Sequence, residues 1–460
     1  MQRYLFLLMA CSLLSGCGRQ VEPAQSRAAA ADIQAQAKAY PAELAKARRL
    51  GLPLSLQALN SALPQAKTNA ALVYQRLGHL LRAYPLSSKE LALEGLSTSP
   101  MPTEKALGFA RQALVHRARY LKMIHEAAAL PNCVFTHDWS AKDPENIYVP
   151  EMGTLREASL LLTGQSVLMS KSGQTLAAVK NEAVGFRLAD QIAGERILAA
   201  YEVACDVDNI TLTGLQKILY ISHGDPQIAL AVQEAIAQQW HPHSLAVALK
   251  SEVAFQQAMV SFARAEGPQP FYDTLAPAIS SYGFQNEKSG SPAWNKLMDA
   301  NAAVLLQETT QAIGVADMPF STARSAIKAV VADSMRHSAS RIFSAYLVPD
   351  LADDVSLRAQ AQARAEITSA AAAVLAWKAT HGSFPDALID AMPAAPQDPF
   401  TGGALRYKNE GQGFVLYSAG PSGTFNGGSP QSEPAMSESV FRYPLPSYDF
   451  PAKPGPAVAA

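Results

Sequence analysis

Charge is scarce in this chain. Asp, Glu, Lys and Arg make up only 17% of 460 residues and the formal net charge is -1, against about a quarter charged in ordinary soluble domains. No block of Lys or Arg occurs, so the electrostatic footprint of a nucleic-acid binder is missing. Long apolar runs are missing too. The longest near the start, residues 4–14, falls far below the roughly 20 residues that cross a bilayer as a helix. Named catalytic signatures are equally absent: no Gly-x-Ser-x-Gly elbow, Walker loop, Rossmann glycine pattern, Cys-x-x-Cys-His haem site or His-Glu-x-x-His zinc motif occurs. What remains is abundant alanine and 48% hydrophobic residues, a composition for helices packed closely through small side chains. The length allows two or three domains with a substantial core.

The first twenty residues, MQRYLFLLMACSLLSGCGRQ, place Arg3 before a short apolar run and small residues before a cysteine. That order is an export signal. Leu14-Ser15-Gly16-Cys17 resembles the lipobox of bacterial lipoproteins, which implies a signal peptide over 1–16 and a mature chain anchored by lipid on Cys17. Leu8-Met9-Ala10-Cys11 is a partial second match, but the apolar run before it is too short. Gly18, rather than Asp, follows the lipidated cysteine, and by analogy with Gram-negative lipoproteins this implies the outer membrane, with the body facing the periplasm. The membrane is then a partner through the lipid while the body stays aqueous. Cys133 and Cys205 are the cysteines left in an oxidising compartment. Such a pair is expected to form a disulfide; the alternative is two buried thiols, since sequence cannot supply the Cα separation that a bridge requires.

Residues 17–50 read as a tether, small and polar over 18–35, running into a first helix. Residues 51–348 read as a helical domain. Val73, Leu77, Leu80 and Leu81 form a stripe ended by Pro85, and Thr103 caps a helix running to about residue 128. Residues 132–150, rich in turn formers and aromatics, read as an ordered loop. Helix then follows helix: one over 174–205, another over 211–224, one opening at Pro226 and one capped by Ser244. No fixed 34-residue period occurs, so an irregular helical bundle or solenoid is expected rather than a regular repeat array. After a boundary at 349–354, Ile367, Ala371, Val374 and Leu375 mark one long helix closed by Gly382. Two short strands, LRYKN and GFVLYS, follow around a Glu410-Gly411-Gln412-Gly413 turn and are expected to cover that helix. Residues 429–460, rich in Pro, Ser and Ala, read as a disordered tail.

Phe384-Pro385, Asp398-Pro399-Phe400, Tyr407 and Tyr417-Ser418-Ala419-Gly420 follow the long helix in an order that resembles the C-terminal half of the major pseudopilin of type II secretion systems. The resemblance covers roughly residues 355–428 and implies a small α+β module over 349–428. It also recurs in bacterial envelope proteins that carry the segment behind a helical region. Two departures matter. The helix lacks the apolar N-terminal membrane segment with its prepilin cleavage site, so filament assembly is not expected. The loop that binds calcium in major pseudopilins reads PSGTFNGGSPQSEP here, with Ser422 at a commonly acidic place and no Asp, so the ligand set is depleted to Asn426 and carbonyls.

The remaining chemistry-bearing residues are few. His241-Pro242-His243 has a metal-like spacing without a third ligand in view and reads as the start of a helix. His137-Asp138 beside Trp139 reads as a turn in which Asp138 caps and Trp139 packs. Asp206 and Asp208 read as a loop before a helix. Asp398 is expected to hold its own turn and the glycines to permit tight bends, so no catalytic residue, metal ligand or cofactor is assigned. The expected function is a non-catalytic binding or scaffold role toward a protein partner. The alternatives are an envelope hydrolase with a cleft near His137, Asp138 and His241, and an accessory to a secretion system.

Overall fold

The computed structural model describes residues 23–85, 87, 93, 96, 103–144, 147, 149–336, 338–348, 351–424 and 440–444. Cys17 and its lipobox lie outside these residues. The chain is mostly helical, with a small three-stranded antiparallel sheet near its C terminus. No described helix is long and apolar enough to cross a membrane.

Local chemistry sets many helix ends where the sequence places them. Thr103 caps α3 (Glu104–Ala128) by accepting from Ala106 N at 3.2 Å, after α1 (Pro23–Arg49) and α2 (Ala71–Ala83). Helices α4 (Glu151–Lys171), α5 (Thr175–Ala193) and α6 (Leu198–Ile221) follow as a packed set. Asp225 caps α7 (Pro226–Gln239), whose first residue is the expected proline, and Ser244 caps α8 (Leu245–Glu266). Then come α9 (Tyr272–Ser281), α10 (Pro292–Val315), α11 (Phe320–Ser334), α12 (Ile342–Leu347) and the long α13 (Leu351–His381).

Helix α6 is the spine of the molecule. Its Tyr201 and Cys205 join a core with Trp294 and Phe343, its Ala204 and Val207 join one with Tyr74 and Leu161, and its Leu215 and Leu219 join one with Val374 and Phe414. Packing is close because small residues face polar ones. A methyl group on Gly185 would strike Thr211 of α6, and one on Gly214 would strike the Glu182 carboxylate of α5. Burying side chains as large as Trp294 in such a core stabilises by about 2–3 kcal/mol each.

Several expectations need correction. The stretch expected as one helix over 174–205 is broken at Gly194–Ile197, where Arg196 adopts φ +58°, a conformation few non-glycine residues tolerate. Asp206 and Asp208 are not in a loop; both sit inside the continuous α6. Asn209, Thr211 and Thr213 there turn their side chains back to the carbonyls of Cys205, Val207 and Asn209, so they bond along the helix instead of competing with it.

The C-terminal unit also differs. After α14 (Leu388–Ala391), β1 (Arg406–Asn409) and β2 (Phe414–Tyr417) pair as expected about the 410–413 turn. A third strand, β3 (Val440–Tyr443), pairs with β2 in the register Phe414↔Tyr443 and Leu416↔Phe441. A structureless 429–460 therefore does not hold for β3, which lies in that stretch. The long helix is not merely covered by the sheet: Ile367, Ala371, Val374 and Leu375 pack in one core with α6, α7 and the sheet together. Its N-terminal part, through Leu351 and Val355, enters the core around Trp294.

The expected disulfide is absent. Cys133 and Cys205 are both free thiols. They belong to different cores, Cys133 at the edge of the one around Tyr74 and Cys205 inside the one around Trp294. Burial, reinforced by the Glu195 and Glu151 charges, pushes the Cys133 thiol up to about 12, and burial raises Cys205 further still. Both are inert thiols rather than thiolates at neutral pH.

Candidate functional site

The cluster that most resembles a site is built on the 132–150 loop. Asn69, just before α2, clamps that loop by donating to Val134 O and accepting from Val134 N, both at 2.9 Å. The clamp sets the extended run that presents Phe135, His137 and Trp139. From the opposite side the break between α5 and α6 supplies Glu195, whose Oε1 accepts the Phe135 N–H at 2.9 Å. Its Oε2 lies 3.0 Å from His137 Nε2, and Glu151, the first residue of α4, places Oε1 3.4 Å from the same nitrogen. All three side chains are at most 7% exposed. The Trp139 ring meets the imidazole edge-on at 5.0 Å and leans on Phe255 of α8.

An N–H at Nε2 suits the Glu195 carboxylate beside it, since a carboxylate only accepts. Burial alone lowers the pKa of His137, but the Glu195 hydrogen bond and the charges of Glu151 and Glu195 outweigh it, and the net direction is upward. Burial raises Glu151, with His137 opposing and Glu195 adding to the rise. Beside the cluster is a cavity of about 120 Å³, lined by Asn60, Ser61, Thr136, His137, Trp139 and Glu195 among others. That is room for a few waters or one small ligand.

Glu195→Gln tests the electrostatics. A raised histidine contributes stability that is complete below its unfolded pKa and lost as pH rises through the folded value. The variant is expected to move the His137 titration downward in NMR, and to cost more stability at pH 6 than at pH 8.5. An unmoved titration would show that Glu195 does not hold the proton.

The other singled-out residues fall elsewhere. Asp138 is exposed and accepts from Ser140 N at 3.0 Å and from Ser140 Oγ at 2.6 Å, the expected turn. Neither Asp138 nor His241 lines the cavity. His241 is 65% exposed and 3.9 Å from Asp190. His243 is buried, with Nε2 3.1 Å from Asp208 Oδ2, and Trp240 Nε1 donates to the same oxygen at 3.2 Å. The two histidines of the His-Pro-His run thus point to separate carboxylates. Among the described residues no group of three or more His, Cys, Asp or Glu side chains is arranged to hold a metal.

Sequence reasoning missed Glu151, Glu195 and the Asp208–His243 pair. Glu195 lies 58 residues from His137, and no local pattern marks a contact of that range. The one available signal was Gly194, which hinted at a helix end next to an acidic residue. No family model, curated protein or solved structure matches this chain.

Proposed function

We propose that this chain is a lipid-anchored protein of the bacterial envelope, tethered through Cys17 at the outer membrane and facing the periplasm. Its helical body serves as a non-catalytic scaffold for a protein partner. The observation that carries the scaffold reading is the direction in which the chemistry faces. His137, Glu151, Asp208, His243, Glu182 and Glu308 are all turned inward, while apolar side chains such as Val115 (75% exposed) and Tyr84 (65%) face solvent. Arg117 fixes the α2–α3 pair by donating to the Tyr84 and Pro85 carbonyls at 2.7 and 3.1 Å. An exposed aliphatic group on a rigid helix, such as Val115, gives a partner an apolar point of contact.

In-cell cross-linking and pull-down is the test, with Cys17→Ser as the mislocalised control and Val115→Glu as the surface control. The scaffold reading expects a reproducible partner whose capture falls about tenfold or more with Val115→Glu. No reproducible partner, or capture indifferent to Val115→Glu, removes it.

The hydrolase reading draws support from one observation, His137 held between the Glu195 and Glu151 carboxylates at a cavity. Glu195→Gln separates the two readings: it abolishes any turnover that depends on His137 and leaves partner capture intact. The pseudopilin-like reading of residues 349–428, and with it an accessory role in secretion, is supported by the order of α13, the Phe384-Pro385 turn and the β1–β2 hairpin. Tyr407 Oη and Asn409 Nδ2 both donate to Pro385 O, at 2.8 and 3.1 Å, and tie hairpin to turn. Analogy of fold alone does not assign function.

A further inference from the structure

The cavity beside His137 has no use in the scaffold reading, and its walls are particular enough to select a ligand. Its volume of about 120 Å³ is close to that of cavities which take a benzene-sized guest, so it admits on the order of five or six non-hydrogen atoms. Asn60, Ser61 and Thr136 are exposed and form a polar rim.

Two buried rings each turn one free nitrogen to this space. The Nε2 proton of His137 faces Glu195 Oε2 at 3.0 Å, so the lone pair of the neutral ring is on Nδ1. Among the described residues neither His137 Nδ1 nor Trp139 Nε1 has a hydrogen-bond partner, and neither atom is sealed from solvent. The His137 side chain is 3% exposed and Trp139 is 6% exposed, and both line the cavity. The two atoms therefore open onto it, an acceptor on His137 and a donor on Trp139.

The charge around them is in excess of one sign. The Glu195 and Glu151 carboxylates act on His137, and Glu151 Oε1 is buried with no hydrogen-bond partner. Two carboxylates against one imidazole leave the group net negative in either state of the ring. On the same loop, Cys133 is a neutral thiol, raised by burial, and Asp138 is exposed and engaged by Ser140. Arg187 of α5 donates to Leu130 O at 3.3 Å, and Arg196, beside Glu195, is exposed. Neither arginine lines the cavity, nor does any other Lys or Arg among the described residues. Phe255 of α8, against Trp139, carries no charge. A cation is favoured here over an anion, and the rings of Phe135 and Trp139 add to the attraction.

We propose that this cavity binds a free, small primary amine that carries a hydroxyl group. The ammonium donates to His137 Nδ1, and the hydroxyl oxygen accepts from Trp139 Nε1. The site requires neither a protein partner nor turnover, so its test is separate from both readings above. The ligand and a proton compete for one lone pair on His137. Affinity therefore falls about tenfold for each pH unit below the His137 titration, and by reciprocity the ligand lowers that titration.

Ethanolamine is the probe, titrated into the mature-length chain with Cys17→Ser and followed by calorimetry and by NMR of labelled histidine. It is expected to bind about tenfold or more tightly than ethylene glycol, which replaces the amine by a hydroxyl, and than acetate. It is expected to bind about fivefold more tightly than ethylamine, which lacks the hydroxyl. Trp139→Phe keeps a ring and removes the donor, so it should abolish the second preference and keep the first. Should that variant fail to fold, Glu195→Gln, whose amide oxygen still accepts the Phe135 N–H, should weaken ethanolamine about tenfold and leave ethylene glycol unmoved. The His137 titration should fall with ethanolamine bound. No binding of ethanolamine, equal binding of ethylene glycol or acetate, or a His137 titration that stays or rises overturns the site. A fivefold preference that survives Trp139→Phe overturns the role of the hydroxyl. Phosphoethanolamine distinguishes a lipid headgroup from a free amine: the net negative cavity should reject its phosphate, and binding as tight as that of ethanolamine overturns the free ligand.

Discussion

Asp398→Ala is expected to be among the most damaging single substitutions outside the helices. The side chain is completely buried and each oxygen is used twice. Oδ1 accepts from Phe400 N at 3.0 Å and Ser418 Oγ at 2.8 Å; Oδ2 accepts from Ala419 N at 3.0 Å and Thr401 Oγ1 at 3.2 Å. The carboxylate thus joins the Asp-Pro-Phe turn to the end of β2. Truncation leaves several donors with no acceptor, each costing about 1–3 kcal/mol when buried. A total loss of roughly 3–5 kcal/mol is expected, read by urea unfolding. Asp398→Asn should be nearly as costly, because its amide would turn a donor toward two of those donors. Where the loss is felt matters as much as its size. Phe414, Leu416 and Phe441 share one core with α6, α7 and α13, and Phe400 packs edge-on against Phe320 of α11 at 4.7 Å. Hydrogen exchange should therefore quicken in the C-terminal halves of α6 and α13 as well as in the sheet. Quickening confined to 384–443 would make the unit an independent domain and contradict the shared core.

That shared core also marks the limit of what the sequence discloses. Helix ends were legible because they depend on local backbone chemistry: Thr103, Pro226, Ser244 and Gly382, at φ +80°, act as their residue types dictate. The β1–β2 hairpin was legible because Gly411 supplies the positive φ its turn needs. Strand β3 was not. Its VFRY run is short and lies among Pro and Ser, and it is held by Phe441 stacking on Tyr220 of α6 at 4.5 Å, a contact across more than two hundred residues. Asp208 inside α6 runs against helix propensity; burial with His243 and Trp240 overrides it. The candidate site divides the same way. His137 was visible as a residue of interest, and the turn made by Asp138 was readable. The carboxylates that raise His137 come from two other elements and are defined only by the fold.

The largest pH effect is expected from Glu182 and Lys217, buried between α4, α5 and α6. Glu182 Oε1 accepts from Thr163 Oγ1 at 2.7 Å, its Oε2 has no hydrogen-bond partner, and Gly214 is small enough to let it fit. Burial pushes its carboxyl up to about 7, against Thr163, Ser166 and Lys217, which favour the charge. Burial likewise pushes Lys217 down to about 7, with Glu182 opposing, while its Nζ donates to Leu96 O. The signs are opposite. Between about pH 4.5 and 7 the folded state holds the Glu182 proton more tightly than the unfolded chain, so stability falls as pH rises. Between about 7 and 10.5 the unfolded chain holds the Lys217 proton more tightly, so stability rises with pH. Asp208, Asp190, Glu151 and Glu366, all raised by burial, and Glu308, pushed up to about 7 by burial, steepen the acid limb. Urea unfolding from pH 5 to 9.5 should thus trace a minimum near pH 7, with each limb on the order of 3 kcal/mol. Glu182→Gln should flatten the acid limb in part, and Glu182→Gln with Glu308→Gln more fully. Lys217→Met should flatten the alkaline limb and leave the acid one. A profile that peaks near pH 7, or one that Glu182→Gln leaves unchanged, would mean that neither buried charge is being paid for in the folded state.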